Sequence, residues 1–404
     1  MTSAFDPRQP LDPETCRRAR LSRDSRFDGE FFLAVRTTGI YCRPVCPARP
    51  PAEKNVRYYH LASQAAAAGY RPCLRCRPES APGSPAWRGS ATTVQRALAL
   101  IQEGALVDGS LGQLAARLGV GERYLRKLFQ RELGVSPHAV ALNQRLLFAK
   151  KLLAETDMPL TEVAFAAGFG SVRRFNSAIR EQFHLTPREL RRGRRSQDRA
   201  GTIRLQLHYR PPYDWEGVID FFARHAVAGV EAVDTDRYQR RARLDSEVVE
   251  LTVSRQHKRN ALVLEVCGAG HKHLLPLVAR IRRMFDLDAN PAVIGQTLSR
   301  DPELGRQWRR TPGIRSPGYW SLFEASVRAI VGQQVSTTAA RNICARLAAA
   351  CAGNAAPLFP TADELASLPD DAFPMPGRRR DTLRTLCLGY RNREHELELA
   401  ALAD

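Results

Sequence analysis

The sequence predicts a multidomain chain of mixed α+β class, read as four consecutive units: a small cysteine-rich α/β unit over residues 1–86, an all-helical unit over 87–195, an α+β unit over 200–290 and a partial all-helical unit over 291–404. Three observations carry this. The chain has 404 residues, more than one core usually organises, so roughly two to four domains are expected. The hydrophobic period changes along it, from helical spacing in the second unit to strand alternation after Ile203 and back to helical spacing after Pro291. Punctuation falls between the units: a proline- and glycine-rich run from Pro78 to Pro85 that suits a linker, and an arginine-rich run from Arg188 to Arg199.

Composition narrows the class of function. Hydrophobic residues make up 44% and charged residues 25%, the balance of a globular protein. No run of about 18 apolar residues could span a bilayer, and Met1 to Asp6 do not open a secretory signal, so a cytoplasmic protein without a membrane partner is expected. The formal charge of +19 is concentrated early, +7 in residues 1–90 and +8 in 91–195. A polyanion-binding first half follows only if a reading element accompanies the charge.

In the first unit Cys42 and Cys46 form C-x3-C, and Cys73 and Cys76 form C-x2-C. Two such knuckles facing one another suit one tetrahedral Zn2+, since four thiolates at about 2.3 Å satisfy a d10 ion without strain. Cys16, Cys267, Cys344, Cys351 and Cys387 lack such spacing and read as small buried apolar residues; Cys267 with His271 and His273 is assigned no metal. Spacing alone leaves a structural and a reactive zinc site both open. Arg36, Arg43, Arg49, Arg71, Arg75 and Arg77 crowd the cysteines, either as a solvated basic face or as phosphate clamps.

The stretch DGEFFLAVRTTGIYCRPVCPAR from Asp28 to Arg49, with GYRPCLRCR from Gly69 to Arg77, resembles the N-terminal domain of the Ada family of adaptive-response proteins. The resemblance implies that zinc-bound Cys42 accepts the methyl group of a methylphosphotriester in DNA, and that Thr38, Arg49 and Arg71 contact the DNA backbone. The chemistry is sound. The ester is neutral, so the attacker must be a soft anion, and zinc keeps sulfur deprotonated without a neighbouring base. The thioether product is not reversed, so each chain acts once. Methylation takes the Zn(Cys)4 centre from −2 to −1; at roughly 7 Å this relieves ~0.6 kcal/mol of repulsion per phosphate in water and ~2.4 at an effective dielectric near 20. Tighter DNA binding after methylation is the expectation. The resemblance does not extend to an O6-alkylguanine acceptor, whose PCHR-type motif does not occur here.

The second unit repeats one pattern. Gly109 to Val120 followed by Glu122 to Phe129 reads as helix, glycine-bearing turn, helix, and Pro159 to Phe169 followed by Val172 to Arg180 reads the same way with Ser171 as cap. A helix from Ser136 to Glu155 joins the copies, and the duplication resembles the AraC-type DNA-binding domain. Leu114, Leu118, Leu125, Leu128, Val163, Phe165, Phe169, Phe175 and Ile179 are expected in the core. Arg123, Arg126, Lys127, Arg173, Arg174 and Arg180 are expected to project from the recognition helices, reading guanine edges or gripping phosphate. The activator role this implies brings double-stranded DNA and RNA polymerase as partners.

In the third unit Ile203, Leu205, Leu207 and Tyr209 alternate as a strand, with further strands at Val248–Val253 and Ala261–Val266. Pro211 to Trp215, Met284 to Leu287 with Asn290–Pro291, and Phe323 to Ser336 resemble the AlkA-type 3-methyladenine DNA glycosylases, which flip a damaged base and stabilise the cationic sugar with an aspartate. By that resemblance Gln334 fills the vacated stack. The family aspartate follows a helix-hairpin-helix, and Asp404 is reached before either appears. Met375 to Arg379 lacks the second glycine of that hairpin, and Asp381 is not promoted to catalyst. The expectation is a methyl acceptor and activator whose glycosylase region does not excise bases; the alternatives are a purely structural zinc transcription factor and a working bifunctional glycosylase.

Overall fold

A computed structural model describes residues 11–73, 75, 76, 78, 93–107, 109–191, 201–244, 247–256, 259–268, 270 and 273–401, the last eleven as backbone. Arg77, His271, residues 79–85 of the expected linker and the arginine run beyond 191 lie outside the described residues. Among the described residues no helix is long and apolar enough to cross a membrane.

The first unit opens with α1 (Pro13–Leu21), whose exposed N–H groups of Glu14 and Thr15 are capped by the Asp12 carboxylate. A four-stranded sheet follows, ordered β3–β1–β2–β4, from β1 (Phe32–Val35), β2 (Ile40–Cys42), β3 (Val56–Tyr59) and β4 (Arg71–Pro72). Strands β1, β2 and β3 pair antiparallel, and β2 runs parallel to β4. Strand alternation divides the side chains between two faces. Phe32, Ala34 and Tyr41 pack with Ala62 and Ala65 of α2 (Ala62–Ala67), whereas Leu33, Val35 and Cys42 pack with Cys73 and Cys76. The face that carries the cysteines is therefore set by register, which places Leu33 opposite Cys42 and Ile40 opposite Arg71.

The helical unit comprises α3 (Thr93–Gln102), α4 (Leu111–Arg117), α5 (Glu122–Leu133), α6 (Pro137–Glu155), α7 (Leu160–Ala166), α8 (Val172–Phe183) and α9 (Pro187–Arg191). Each helix-turn-helix copy is where the sequence puts it. Ser110 and Gln113 form a reciprocal capping box on α4, Ser136 caps α6 ahead of Pro137, and the Ser171 hydroxyl accepts from Arg174 N. The turn between α7 and α8 needs Gly168, which has φ +79° and would place a Cβ 2.9 Å from Val107 Cγ1. Leu114, Leu125, Leu128, Val163, Phe169, Phe175 and Ile179 are buried as expected. Leu118 is only half-buried. Phe165 departs from expectation: it is 47% exposed, because Val163, Ala164, Ala166 and Ala167 already supply the inward surface of α7 and its C-terminal turn.

The third unit is an antiparallel five-stranded sheet ordered β5–β9–β8–β7–β6, made of β5 (Thr202–His208), β6 (Glu231–Val233), β7 (Arg237–Leu244), β8 (Glu247–Gln256) and β9 (Ala261–Cys267). Helices α10 (Trp215–His225) and α11 (Leu274–Met284) contribute to its core. The remaining helices are α12 (Pro291–Leu298), α13 (Pro302–Arg310), α14 (Leu322–Gly332), α15 (Thr337–Ala352), α16 (Ala362–Ser367) and α17 (Gly377–Ala401). A buried ionic cluster joins sheet to helices: Arg240 pairs with Glu231 at 3.2 Å and Glu324 at 2.5 Å, and Arg328 with both carboxylates at 2.7 Å. Cys16, Cys344 and Cys387 are buried and Cys351 half-buried, but Cys267 is exposed because it ends the strand, beside Thr202.

Candidate metal centre and nucleic-acid interface

The four knuckle cysteines arrive from three places, with Cys42 ending β2, Cys46 four residues on and Cys73 and Cys76 following β4. Their sulfurs lie within 4.8 Å of one another, with Cys46 and Cys73 4.0 Å apart. A tetrahedron of ligands about 2.3 Å from a central ion has edges of about 3.8 Å, so the set fits one Zn2+ with little adjustment. Cys42, Cys46, Cys73 and Cys76 bind a single zinc ion. As free thiols they would share protons unevenly. The hydrogen bond with Cys46 pushes Cys42 up, that with Cys42 holds Cys73 down, and burial raises Cys76. A divalent ion removes that competition by holding all four as thiolates.

A cavity of about 350 Å³ opens over the sulfurs, lined by Cys42, Cys46 and Cys73 but not by Cys76. Leu33, Val35, Ile40 and Pro44 make one part of its wall apolar, and Thr38, Arg49, Arg71 and Arg75 bring polar groups to it. The three residues singled out as backbone contacts thus share one cavity with Cys42. Arg49 and Thr38 are exposed and Arg71 half-buried. Arg36 is exposed but does not line the cavity.

Arg43 corrects the reading of a uniform arginine clamp. It is 7% exposed; its Nε donates to Asp28 Oδ1 at 2.7 Å, its Nη2 pairs with Oδ2, and its Nη1 donates to Cys76 O at 3.1 Å. Its backbone N–H also donates to Cys76 Sγ at 3.3 Å. Burial next to thiolates selects a structural counter-charge rather than a DNA contact. Arg20 was not legible as a site residue. It is 5% exposed on α1, lines the cavity, donates to Pro51 O at 3.1 Å and pairs with Glu53. No spacing relates it to the cysteines.

Arg123, Arg126 and Lys127 on α5 and Arg173, Arg174 and Arg180 on α8 are all exposed. Arg126 pairs with Glu122 one turn back at 2.5 Å, both in solvent, where such a pair exchanges readily for a phosphate. Gln334 is exposed between α14 and α15 with φ +57°, a left-handed conformation uncommon outside glycine. Asp381 is exposed on α17 and pairs with Arg380 at 3.1 Å.

Three family descriptions match the chain: "Metal binding domain of Ada" over residues 15–79, "Helix-turn-helix domain" over 114–193 and "AlkA N-terminal domain" over 204–321. A metal-thiolate unit, a double helix-turn-helix of AraC type and an AlkA-type unit on one chain define a combined regulator of transcription and DNA repair. The chain belongs to the family of bifunctional transcriptional activator/DNA repair enzymes of Ada and AlkA type. It is 40% identical over 389 residues to the probable bifunctional transcriptional activator/DNA repair enzyme AlkA of Mycobacterium tuberculosis, covering 93% of this chain and 78% of that one. It is 35% identical over 173 residues to the bifunctional activator/repair enzyme Ada of Escherichia coli, covering 43% of this chain and 47% of that one. Among solved structures, the DNA methyl phosphotriester repair domain of E. coli Ada is 49% identical over 19% of this chain and 80% of that chain, with a TM-score of 0.17.

Proposed function

We propose that the chain takes the methyl group of a DNA methylphosphotriester irreversibly onto Cys42, and that the methylated protein binds DNA more tightly through its two helix-turn-helix copies to activate transcription with RNA polymerase. The observation that carries this reading is the cavity in which Cys42 meets Thr38, Arg49 and Arg71. A purely structural zinc site would have no use for an open face beside its sulfurs.

The choice of sulfur follows from the hydrogen bonds. Cys76 is absent from the cavity wall and accepts Arg43 N–H, Cys73 accepts Arg75 N–H at 3.4 Å, and Cys46 is held down first by its hydrogen bond with Cys42 and further by the Ala48 backbone. Each such bond stabilises sulfur charge and lowers its nucleophilicity. Among the described residues no backbone N–H is found on Cys42, so it keeps the highest reactivity of those facing the cavity. Its lone pair attacks the methyl carbon, the C–O bond breaks, and the electron pair stays on the phosphate oxygen, leaving an ordinary diester. Zinc, when bound, keeps the thiolate deprotonated at neutral pH. Thr38, Arg49 and Arg71 hold the flanking phosphates, while the apolar wall receives the neutral ester.

Gln334 is proposed as the side chain that fills the gap left by an extruded base, on the support of its exposed left-handed turn. Base excision is not part of the reading. Asp381, shortly after the Pro376–Gly377 turn in sequence, sits in solvent against Arg380, unlike a carboxylate poised under a cationic sugar. The experiment is mass spectrometry after incubation with duplex carrying one methylphosphotriester. One added methyl on Cys42, absent in Cys42→Ser, is expected; a methyl on another cysteine, or none, overturns the assignment.

A further inference from the structure

The segment Tyr70–Cys73 carries both a cavity arginine, Arg71, and a metal ligand, Cys73, and it is fastened at both ends to the DNA-reading unit. At one end Gln182 Nε2, on recognition helix α8, donates to Tyr70 O at 3.2 Å. At the other, Lys150 Nζ, on α6, donates to Cys73 O at 2.8 Å. Lys150 is 3% exposed. The ammonium thus sits against the backbone of a metal ligand, whose centre is formally −2 when four thiolates hold one Zn2+.

We propose that Lys150 is the positioning residue that couples the charge of the zinc–thiolate centre to the helices that read DNA. This rests on the methyl-acceptor reading and names how its signal leaves the site. In the unmodified protein the −2 centre holds the ammonium, and through it α6, against the knuckle. Loss of one unit of charge on S-methylation weakens that attraction, which falls only as the inverse of distance. The strand that presents Arg71 and the helix that presents Arg173, Arg174 and Arg180 are then free to settle together on phosphates. Coupling by this route needs the charge on Lys150, not merely its hydrogen bond.

Two substitutions separate those properties. Lys150→Gln keeps a donor for Cys73 O and loses the charge; Lys150→Arg keeps both. The quantity to measure is the ratio of duplex affinities of methylated and unmodified protein at fixed salt, with hydrogen exchange of residues 70–73 and 143–152 as the readout apart from DNA. For wild type, methylation is expected to raise affinity at least tenfold and to raise exchange in both segments. In Lys150→Gln the ratio should fall at least fivefold and the unmodified protein should already exchange as the methylated wild type does, while Lys150→Arg stays within twofold of wild type. If wild type itself shows no ratio, the methyl-switch reading fails; if wild type shows it and Lys150→Gln matches, this inference alone fails. Should Lys150→Gln not fold, unchanged exchange in wild type on methylation overturns the inference by itself.

Discussion

Removal of the Asp28 carboxylate tests how the zinc knuckle is held. Asp28 and Arg43 side chains are 6% and 8% exposed, and the carboxylate meets both Nε and Nη2 of the guanidinium. Deleting one partner of a buried pair costs about 3–5 kcal/mol, because the other charge is left behind. Arg43 keeps its bond to Cys76 O and lies beside sulfur charge, so the lower end, about 3 kcal/mol, is expected. The first unit has a small core, and metal binding and folding are linked in such units, so the loss should surface as weaker zinc binding. At about 1.4 kcal/mol per tenfold, Asp28→Ala should lower apparent zinc affinity on the order of a hundredfold. Competition with a chromophoric chelator at neutral pH measures this. Docking of the loop should survive, since Arg210 Nε donates to the Asp28 backbone carbonyl at 2.7 Å. An affinity within threefold of wild type would refute the view that this pair braces the knuckle.

Three further outcomes are expected. Gly168→Ala forces a Cβ into a left-handed turn and against Val107; the unfolding free energy of the helical unit, measured by denaturant titration, should fall by about 2 kcal/mol, and a loss under about 0.5 kcal/mol would show that the turn relaxes. Arg173→Ala with Arg174→Ala removes two exposed cations from α8, so the slope of log affinity against log salt should become shallower by about 2 if both grip phosphate; an unchanged slope with altered sequence preference would assign them to base edges. Burial pushes the Asp286 carboxyl up to about 6, so folding favours its protonated form, and that contribution is present below the usual carboxylate range and is lost as pH rises through about 6. Asp286→Asn keeps an acceptor for Ser316 N–H and should raise the melting temperature at pH 8 more than at pH 5; an equal shift at both would place the carboxylate in water.

What the sequence made legible was what depends on local rules. The cysteine spacing, the serine caps at 110, 136 and 171, the glycine-bearing turns and the alternation of β5 each declare themselves within a few residues. Strand β7 was not legible. Its inward positions are Tyr238, Arg240, Ala242 and Leu244, and an arginine in such a row breaks the apolar alternation that marks a half-buried strand. The partners that let Arg240 be buried, Glu231 and Glu324, lie 9 residues before and 84 after it. Phe165 failed in the opposite direction, because helical spacing allows more apolar positions than α7 has neighbours to cover. Arg20 and Lys150 reach the metal unit's site only through tertiary contact, and no window of sequence connects them to the cysteines.

The basic surplus is therefore two populations with different work. Arg43, Arg210, Arg240, Arg315 and Arg328 are buried or nearly so and tied to carboxylates or carbonyls, several across unit boundaries: Arg210 joins Asp28 and Glu30 to Asp288. Among the described residues the exposed cations on α5, on α8 and around the Cys42 cavity have no such ties to lose, apart from the Arg126–Glu122 and Arg131–Glu132 pairs in solvent. Net charge alone would count both alike. Helix α6 shows why the distinction matters: Lys150 faces the metal knuckle, while Lys151 and Glu155 pair with each other and bond to the Gln206 backbone of the third unit. Adjacent lysines on one helix thus hold two different units, so the surface left for DNA is what remains after the chain has fastened itself together. It follows that salt should weaken DNA binding steeply while scarcely moving the contacts between units, because exposed charges are screened and buried ones are not.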